Sequence, residues 1–129
     1  VPHRLAAKPG NLVLTGFLDV PRYGELIQNA DVVLALTTAN HTMLRGAYEA
    51  IYQGTPVIVS DFPILRAAFS EGALHVDNSP QSIVEAVCRI RAEREAFRSA
   101  ALRLRARKEE RWSESKAALL AALRSFSVA

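Results

Sequence analysis

The chain has 129 residues, of which 50% are hydrophobic and 22% are charged, and its formal net charge is +3. This length and balance suit one globular domain and exclude a disordered chain. The longest apolar runs, such as VVLAL at 32–36, are too short to span a bilayer. The first ten residues lack the apolar core of a secretory signal, so we expect a cytoplasmic protein.

Four apolar runs rich in β-branched residues predict strands. These runs lie at 11–16, 31–36, 56–60 and 73–76. The second and third are continuously apolar, which is typical of parallel strands covered on both faces. Segments with helical spacing follow Pro21 and occupy 43–53 and 64–69, with Gly54 placed to end the second helix. The alternation predicts an α/β fold, a Rossmann-like parallel sheet of about four strands with flanking helices.

The pattern changes at Ser79, a good helix N-cap that is followed by Pro80 as a good first helical residue. Apolar residues then recur at a spacing of three to four as far as Leu104, which predicts a long amphipathic helix. The pair Trp112-Ser113 interrupts that spacing, and Ser113 is a candidate cap for a final helix with its own apolar stripe. We therefore expect one domain over 1–129, with a βα core at 11–78 and C-terminal helices at 79–129.

The same C-terminal segment carries most of the basic residues and the single cysteine. The basic residues are Arg89, Arg91, Arg94, Arg98, Arg103, Arg105, Arg107, Lys108 and Arg111. Such a run could touch nucleic acid or anionic lipid, but interleaved glutamates favour a solvated helix face. We expect no nucleic acid partner and leave peripheral contact with the inner face of the membrane open. Cys88 has no internal disulfide partner and falls in a helical pattern, which predicts a buried, reduced thiol.

The stretch ANHTMLRGAYEAIYQGTPVIVSD, residues 39–61, holds the candidate site. Ligands of open parallel sheets bind beyond the carboxyl ends of the strands, and the start of a helix there suits a phosphate. Arg45 would lie in the first turn of the helix, and Glu49 would be its neighbour one turn on. Plainer interpretations exist: Asn40 or Thr42 as a simple N-cap, Glu49 as an exposed partner of Arg45, and His41 as a surface histidine.

The order of short motifs along residues 11–126 resembles the C-terminal, nucleotide-sugar-binding domain of the retaining GT-B glycosyltransferases. The motifs are a strand followed by Gly and an aromatic residue, ADV with an apolar strand, EA and then GTPV, SD, and a short strand ending in VDN. The set occurs in the family's order, which makes the resemblance more specific than any one motif. It implies transfer of a sugar from a nucleoside-diphosphate donor.

The resemblance implies a role for each matching residue. The donor-binding positions correspond to Glu49, Arg45, Thr42, Met43, Leu44, Gly16, Phe17 and Leu18. Glu49 would hold the ribose hydroxyls, the backbone around Thr42 would face the diphosphate and sugar, and the loop at Gly16 would lie near the base. A carboxylate and helix amides can do this without a metal or cofactor, with a UDP- or GDP-linked sugar as substrate. The family often has a second Glu eight residues before the first, where this chain has His41, a candidate catalytic residue near the donor sugar.

The chain also differs from the family in length. The family's domain normally begins with two further βα units, which supply basic residues to the diphosphate, and the acceptor domain precedes them. Since the chain begins with Val1 and its only methionine is Met43, we expect it to be part of something longer. We expect the missing domain or a partner chain to complete the enzyme, no turnover in isolation, and a homo-oligomer through the exposed sheet edge as an open alternative. A non-catalytic module that docks through its arginine-rich helix is the other functional hypothesis.

Overall fold

The computed structural model describes residues 8–127 and shows an α/β fold. The elements in chain order are α1 (Val20–Asn29), β1 (Val33–Ala35), α2 (Arg45–Tyr52), β2 (Val57–Ser60), α3 (Pro63–Ala68), β3 (Ala73–Val76), α4 (Pro80–Ala92) and α5 (Arg94–Ser127). The α/β class is therefore confirmed. None of the helices in this part of the chain is both long and apolar enough to cross a membrane.

The sheet has three parallel strands in the order β1-β2-β3. The central strand β2 is buried at all four positions, which explains its three consecutive apolar residues, and Ser60 at its end is a buried polar residue. Successive side chains of a strand point to opposite faces. Accordingly, Val57 and Val59 belong to one hydrophobic cluster and Ile58 to another. The core therefore has two halves, one on each face of β2.

Different helices cover the two faces. On one face, α2, α3 and α5 contribute Ile51, Leu65 and Leu104 to the larger cluster. On the other face, α4 contributes Ala86 and Ile90 to the smaller cluster. Burial of the larger of these side chains stabilises by about 1.5 to 3 kcal/mol each, so these contacts hold the helices on the sheet. The N-cap predicted at Ser79 is confirmed, since its side chain accepts a hydrogen bond from the N–H of Ser82.

The predicted first strand, 11–16, is wrong: this segment is irregular in the structure. The N–H of Leu12 donates to the carbonyl of Pro9 at 3.0 Å, which is a local turn and not a ladder contact. Val13 is 74% exposed, and the side chains of 11–16 as a group lie at the surface. A strand needs a neighbour to satisfy its backbone groups, and no described segment pairs with this one. The segment has the apolar residues of a strand, but no described strand lies beside it.

The predicted helix break at Trp112-Ser113 is also wrong. The interruption lies at Glu93, between α4 and α5, and α5 then runs unbroken for 34 residues. No glycine or proline occurs between 94 and 127 to stop a helix, and Ser113 lies inside it and caps nothing. The loss of apolar spacing near Trp112 reflects loss of burial, since every side chain from 109 to 126 is exposed.

Two predicted burials need correction. Leu34 of β1 is 44% exposed, so coverage on both faces holds for β2 and not for β1. It lies in register with Ile58 and therefore faces the side of α4, which packs on β2 and β3. Cys88 is exposed, because α4 buries Ala86 and Ile90, and a residue two positions from each falls on the opposite side of a helix.

Most of the arginine-rich segment is exposed, but two of its half-buried arginines bind carbonyl groups at the ends of other helices. Arg98 donates to the carbonyl of Ala30 at 3.0 Å and to that of Gln28 at 3.3 Å, at the end of α1. Arg105 donates to the carbonyl of Tyr52 at 3.2 Å, at the end of α2. Cations are favourable at helix C-termini, where carbonyl groups lack intrahelical partners. These side chains therefore fasten α5 to two other helices.

Candidate functional site

A hydrogen-bond network links the carboxyl ends of all three strands. The N–H of Thr37, just beyond β1, donates to the hydroxyl of Ser60 at 2.8 Å. That hydroxyl donates to Oδ1 of Asn78 at 2.6 Å, and Nδ2 of Asn78 donates back to the carbonyl of Thr37 at 2.9 Å. Ser60 is buried at the end of β2, and Asn78 follows β3 with a positive φ of 68°. The loop after β1 thus leaves the sheet in a fixed direction.

Beside this network lies a crevice of about 430 Å³, which Leu36, Thr37, Thr38 and Asn78 line. It occupies the edge of the sheet where ligands of open α/β folds bind. The predicted site loop therefore begins at an accessible concave surface.

The loop then enters α2 without a side-chain cap. Leu44 is the N-cap residue, and no side chain accepts a hydrogen bond there, so the predicted capping by Asn40 or Thr42 is wrong. The side chain of Asn40 instead accepts from the N–H of His41 at 2.9 Å. Because the first N–H groups of a helix have no intrahelical partner, an uncapped start leaves donors for solvent or a ligand.

Glu49 lies one turn inside α2 and is held by two donors. Its Oε2 accepts from the hydroxyl of Tyr23 on α1 at 2.7 Å, and its Oε1 accepts from Nε of Arg45 at 2.7 Å. The hydrogen bond from Tyr23, and then that from Arg45, lower the pKa of Glu49 below its usual value. Conversely, the pKa of Tyr23 is raised, mainly because its hydroxyl donates to this carboxylate. Glu49 is thus an ionised acceptor in a defined orientation.

This carboxylate borders a pocket of about 330 Å³ between α1 and α2. The lining includes Val20, Tyr23 and Ile27 from α1, and Arg45, Tyr48 and Glu49 from α2. The volume falls within the range of small-molecule sites, about 300 to 1,000 Å³. An apolar wall with one carboxylate and one guanidinium can accept a flat group and orient hydroxyl or phosphate groups at its rim.

The remaining predicted residues of the helix start are close in sequence but differ in exposure. Thr42 and Leu44 are half-buried, and Leu44 packs against the larger hydrophobic cluster. Met43 and His41 are exposed, and His41 has a positive φ of 61°. The structure therefore joins Arg45 to Glu49 directly and places His41 and Met43 on the open loop before them.

The predicted base-binding residues are not joined to Glu49. Gly16, Phe17 and Leu18 precede α1, and none of them lines the pocket beside Glu49. Phe17 is 99% exposed, while Leu18 is half-buried. The first residue of that stretch of chain to reach the pocket is Val20, at the start of α1.

Sequence reasoning missed Tyr23, Ser60 and Asn78 as site residues. Tyr23 lies in the segment after Pro21, for which the sequence predicts only a helix, and nothing in the sequence pairs it with Glu49, 26 residues later. Asn78 did carry a signal, because a polar amide directly after a predicted strand lies at the carboxyl edge of a parallel sheet. Among the described residues, no three His, Cys, Asp or Glu side chains are grouped to hold a metal ion.

Comparisons with protein-family models, with curated proteins and with solved structures found no match for this chain.

Proposed function

We propose that the chain is the nucleoside-diphosphate-sugar-binding part of a glycosyltransferase that transfers the sugar to an acceptor. The observation that carries this proposal is the ionised carboxylate of Glu49, oriented by Tyr23 and Arg45 at a pocket beside the uncapped start of α2. A carboxylate accepts vicinal hydroxyl groups, and the helix start suits phosphate groups. α2 thus offers an acceptor for the ribose hydroxyls at Glu49 and donors for phosphate groups at its first turn.

In this proposal Glu49 accepts hydrogen bonds from the ribose hydroxyls. Each carboxylate oxygen has two acceptor sites, so Glu49 can keep its bond to Tyr23 while it binds ribose. The side chain of Arg45 is 92% exposed, and its ion pair with Glu49 is therefore worth only about 0 to 1 kcal/mol. Arg45 can leave Glu49 at little cost and turn toward the diphosphate.

The diphosphate would lie at the start of α2, where the backbone around Thr42, Met43 and Leu44 faces the loop. The sugar would extend toward the crevice at Thr37 and Asn78, and His41 would approach it from the loop. Developing charge on the leaving diphosphate would be stabilised by Arg45 and by the helix amides, without a metal.

In this proposal another domain or chain supplies the acceptor site that turnover requires. The alternative, an interaction module that docks through its arginine-rich helix, has less support. Arg98, Arg103, Arg105 and Arg107 already bind groups of the same chain.

The test is a calorimetric titration of the chain with UDP, GDP and ADP, repeated with Glu49→Ala and with the matched control Glu25→Ala. Glu25 is an exposed carboxylate on α1 that does not line the pocket. We expect Glu49→Ala to weaken the best nucleotide at least about tenfold, which corresponds to about 1.4 kcal/mol, and Glu25→Ala to leave it unchanged.

A ligand variant separates loss of the ribose contact from a general loss of affinity in Glu49→Ala. Removal of the ribose 2′-hydroxyl should weaken binding to the unmodified chain but not to Glu49→Ala, since the two changes remove the same contact. Equal losses for both proteins would show that Glu49 does not bind ribose. No measurable binding of any of the three nucleotides would overturn the proposal itself.

A further inference from the structure

A second groove, larger than the pocket at Glu49, lies where α5 crosses α2 and α3. Its volume is about 510 Å³. Three cations and three aromatic residues dominate its lining: Arg107, Lys108, Arg111, Tyr48, Tyr52 and Trp112. No carboxylate is among the lining residues. The lining of the groove therefore carries only positively charged side chains, with aromatic rings beside them.

The cations of the groove are poorly compensated. Glu71 accepts from both Arg103 and Arg107, so one carboxylate is shared by two guanidinium groups. Among the described residues, neither Lys108 nor Arg111 forms an ion pair. Positions 107, 108 and 111 lie within one turn of α5, where like charges repel each other. An anion in the groove would relieve this repulsion.

Lys108 carries the clearest sign of this imbalance. Its ammonium lies 5.0 Å from the ring centre of Tyr48 and 5.5 Å from that of Phe69, and it is half-buried. Burial lowers the pKa of Lys108, and the charges of Arg111 and Arg107 lower it further. Cation–π contacts offset part of the cost of burying an ammonium, but they do not neutralise it. No described carboxylate forms an ion pair with this ammonium.

The aromatic residues define the second part of the ligand. Trp112 is 62% exposed and Tyr52 is also exposed, so both have ring surface available above the groove. Arginine and lysine bind phosphate and carboxylate oxygens, and aromatic rings stack with about 0.5 to 1.5 kcal/mol beyond burial. A ligand with an oxyanion and a ring would use both parts of the lining at once.

We propose that the groove between α2, α3 and α5 is a binding site for a small aromatic oxyanion, held by Lys108 and Arg111 and stacked on Trp112. This site is separate from the proposed ribose contact at Glu49, although Tyr48 and Tyr52 border both pockets. It does not depend on the proposed function.

Trp112 is the only tryptophan of the chain, so intrinsic fluorescence reports directly on this groove. The experiment titrates the full chain with phenyl phosphate, which has a ring and an oxyanion but no ribose, at constant ionic strength. We expect a saturable change in Trp112 emission. Inorganic phosphate and phenol, each with half of the recognised chemistry, should bind at least about tenfold more weakly.

The double variant K108Q/R111Q should weaken phenyl phosphate at least about tenfold. The matched control is R91Q, which removes an exposed arginine of α4 that lies outside the groove, and it should leave affinity unchanged. No saturable change with the unmodified chain, or equal losses in R91Q and the double variant, would overturn the proposal. Glu49→Ala should retain phenyl phosphate binding, which separates a failure here from a failure of the nucleotide proposal.

A measurement on the unmodified chain guards against a folding defect in the variant. The side-chain NMR signals of Lys108 report its titration, and bound phenyl phosphate should move its pKa upward because an anion replaces part of the lost hydration. An unchanged titration at saturating phenyl phosphate would place the anion elsewhere and refute the assignment.

Discussion

The two parts of α5 have the same secondary structure and opposite environments. Its proximal part, 94–108, buries Ala101 and Leu104 completely or nearly so and fastens to the core through arginines. Its distal part, 109–126, has every side chain exposed, including Trp112 and Phe126. Both parts are helical because neither contains glycine or proline. Helix formation here follows from local propensity, whereas burial depends on what lies opposite.

The largest loss of stability is expected where the proximal part of α5 contacts Gly72. A Cβ on Gly72 would lie 2.6 Å from the backbone of Ala101, and Gly72 has a φ of +66°. Overpacking and a left-handed backbone together predict that Gly72→Ala lowers the free energy of unfolding by about 2 to 5 kcal/mol. Urea denaturation followed by circular dichroism measures the loss.

The control is Gly46→Ala in α2, where an added Cβ meets nothing within 4 Å. Better helix propensity should stabilise that variant by about 0.5 to 1 kcal/mol. A loss from Gly72→Ala no larger than 1 kcal/mol would mean that α5 does not pack closely against the turn before β3.

A matched pair of leucines compares the two parts directly. Leu104→Ala removes a buried side chain and should cost about 2 to 3 kcal/mol, in the lower part of the usual range because Leu104 borders a groove. Leu123→Ala, in the distal part, should change stability by less than about 0.5 kcal/mol. Amide hydrogen exchange should also be faster over 109–126 than over 94–108. Equal costs for both leucines would show that the distal part is packed in solution.

The smallest expected effect concerns the arginines that fasten the proximal part. Arg98→Ala removes two hydrogen bonds to carbonyls at the end of α1 and should cost about 1 kcal/mol, because these contacts are partly solvated. Arg91→Ala removes an arginine without such a contact and should stay within about 0.5 kcal/mol of the unmodified chain. If thermal or urea denaturation shows the same effect for both, the arginine-rich segment acts only as a solvated face.

Part of the fold could be predicted from the sequence because its signals are local. The strand at 56–60 is predictable because Val57, Ile58 and Val59 are consecutive apolar residues, and the end of α2 is predictable because Gly54 adopts the positive φ of 75° found there. The segment 11–16 has an equally clear apolar pattern, but the strand predicted there is wrong. An apolar, β-branched sequence forms a strand only when a neighbouring strand accepts its backbone hydrogen bonds. No described segment lies beside 11–16 in this way.

Some residues of the candidate site were likewise predictable from local spacing, and others were not. Arg45 and Glu49 were predictable as neighbours, since residues four apart on a helix always share a face. Tyr23 was not, because its hydroxyl reaches Glu49 only through the packing of α1 against α2. The groove at Lys108 was equally hidden: its cations come from α5, while Tyr48 and Tyr52 come from α2.

The sequence by itself determined the α/β class, the central strand, the cap at Ser79 and the ion pair on α2, since each follows from backbone propensity, apolar spacing or helix periodicity. Only the tertiary structure decided that no described segment pairs with 11–16, that α5 is one helix with a packed and an exposed part, and that two of its arginines cap other helices. The physical reason is that burial and hydrogen-bond pairing between distant segments depend on which surfaces meet.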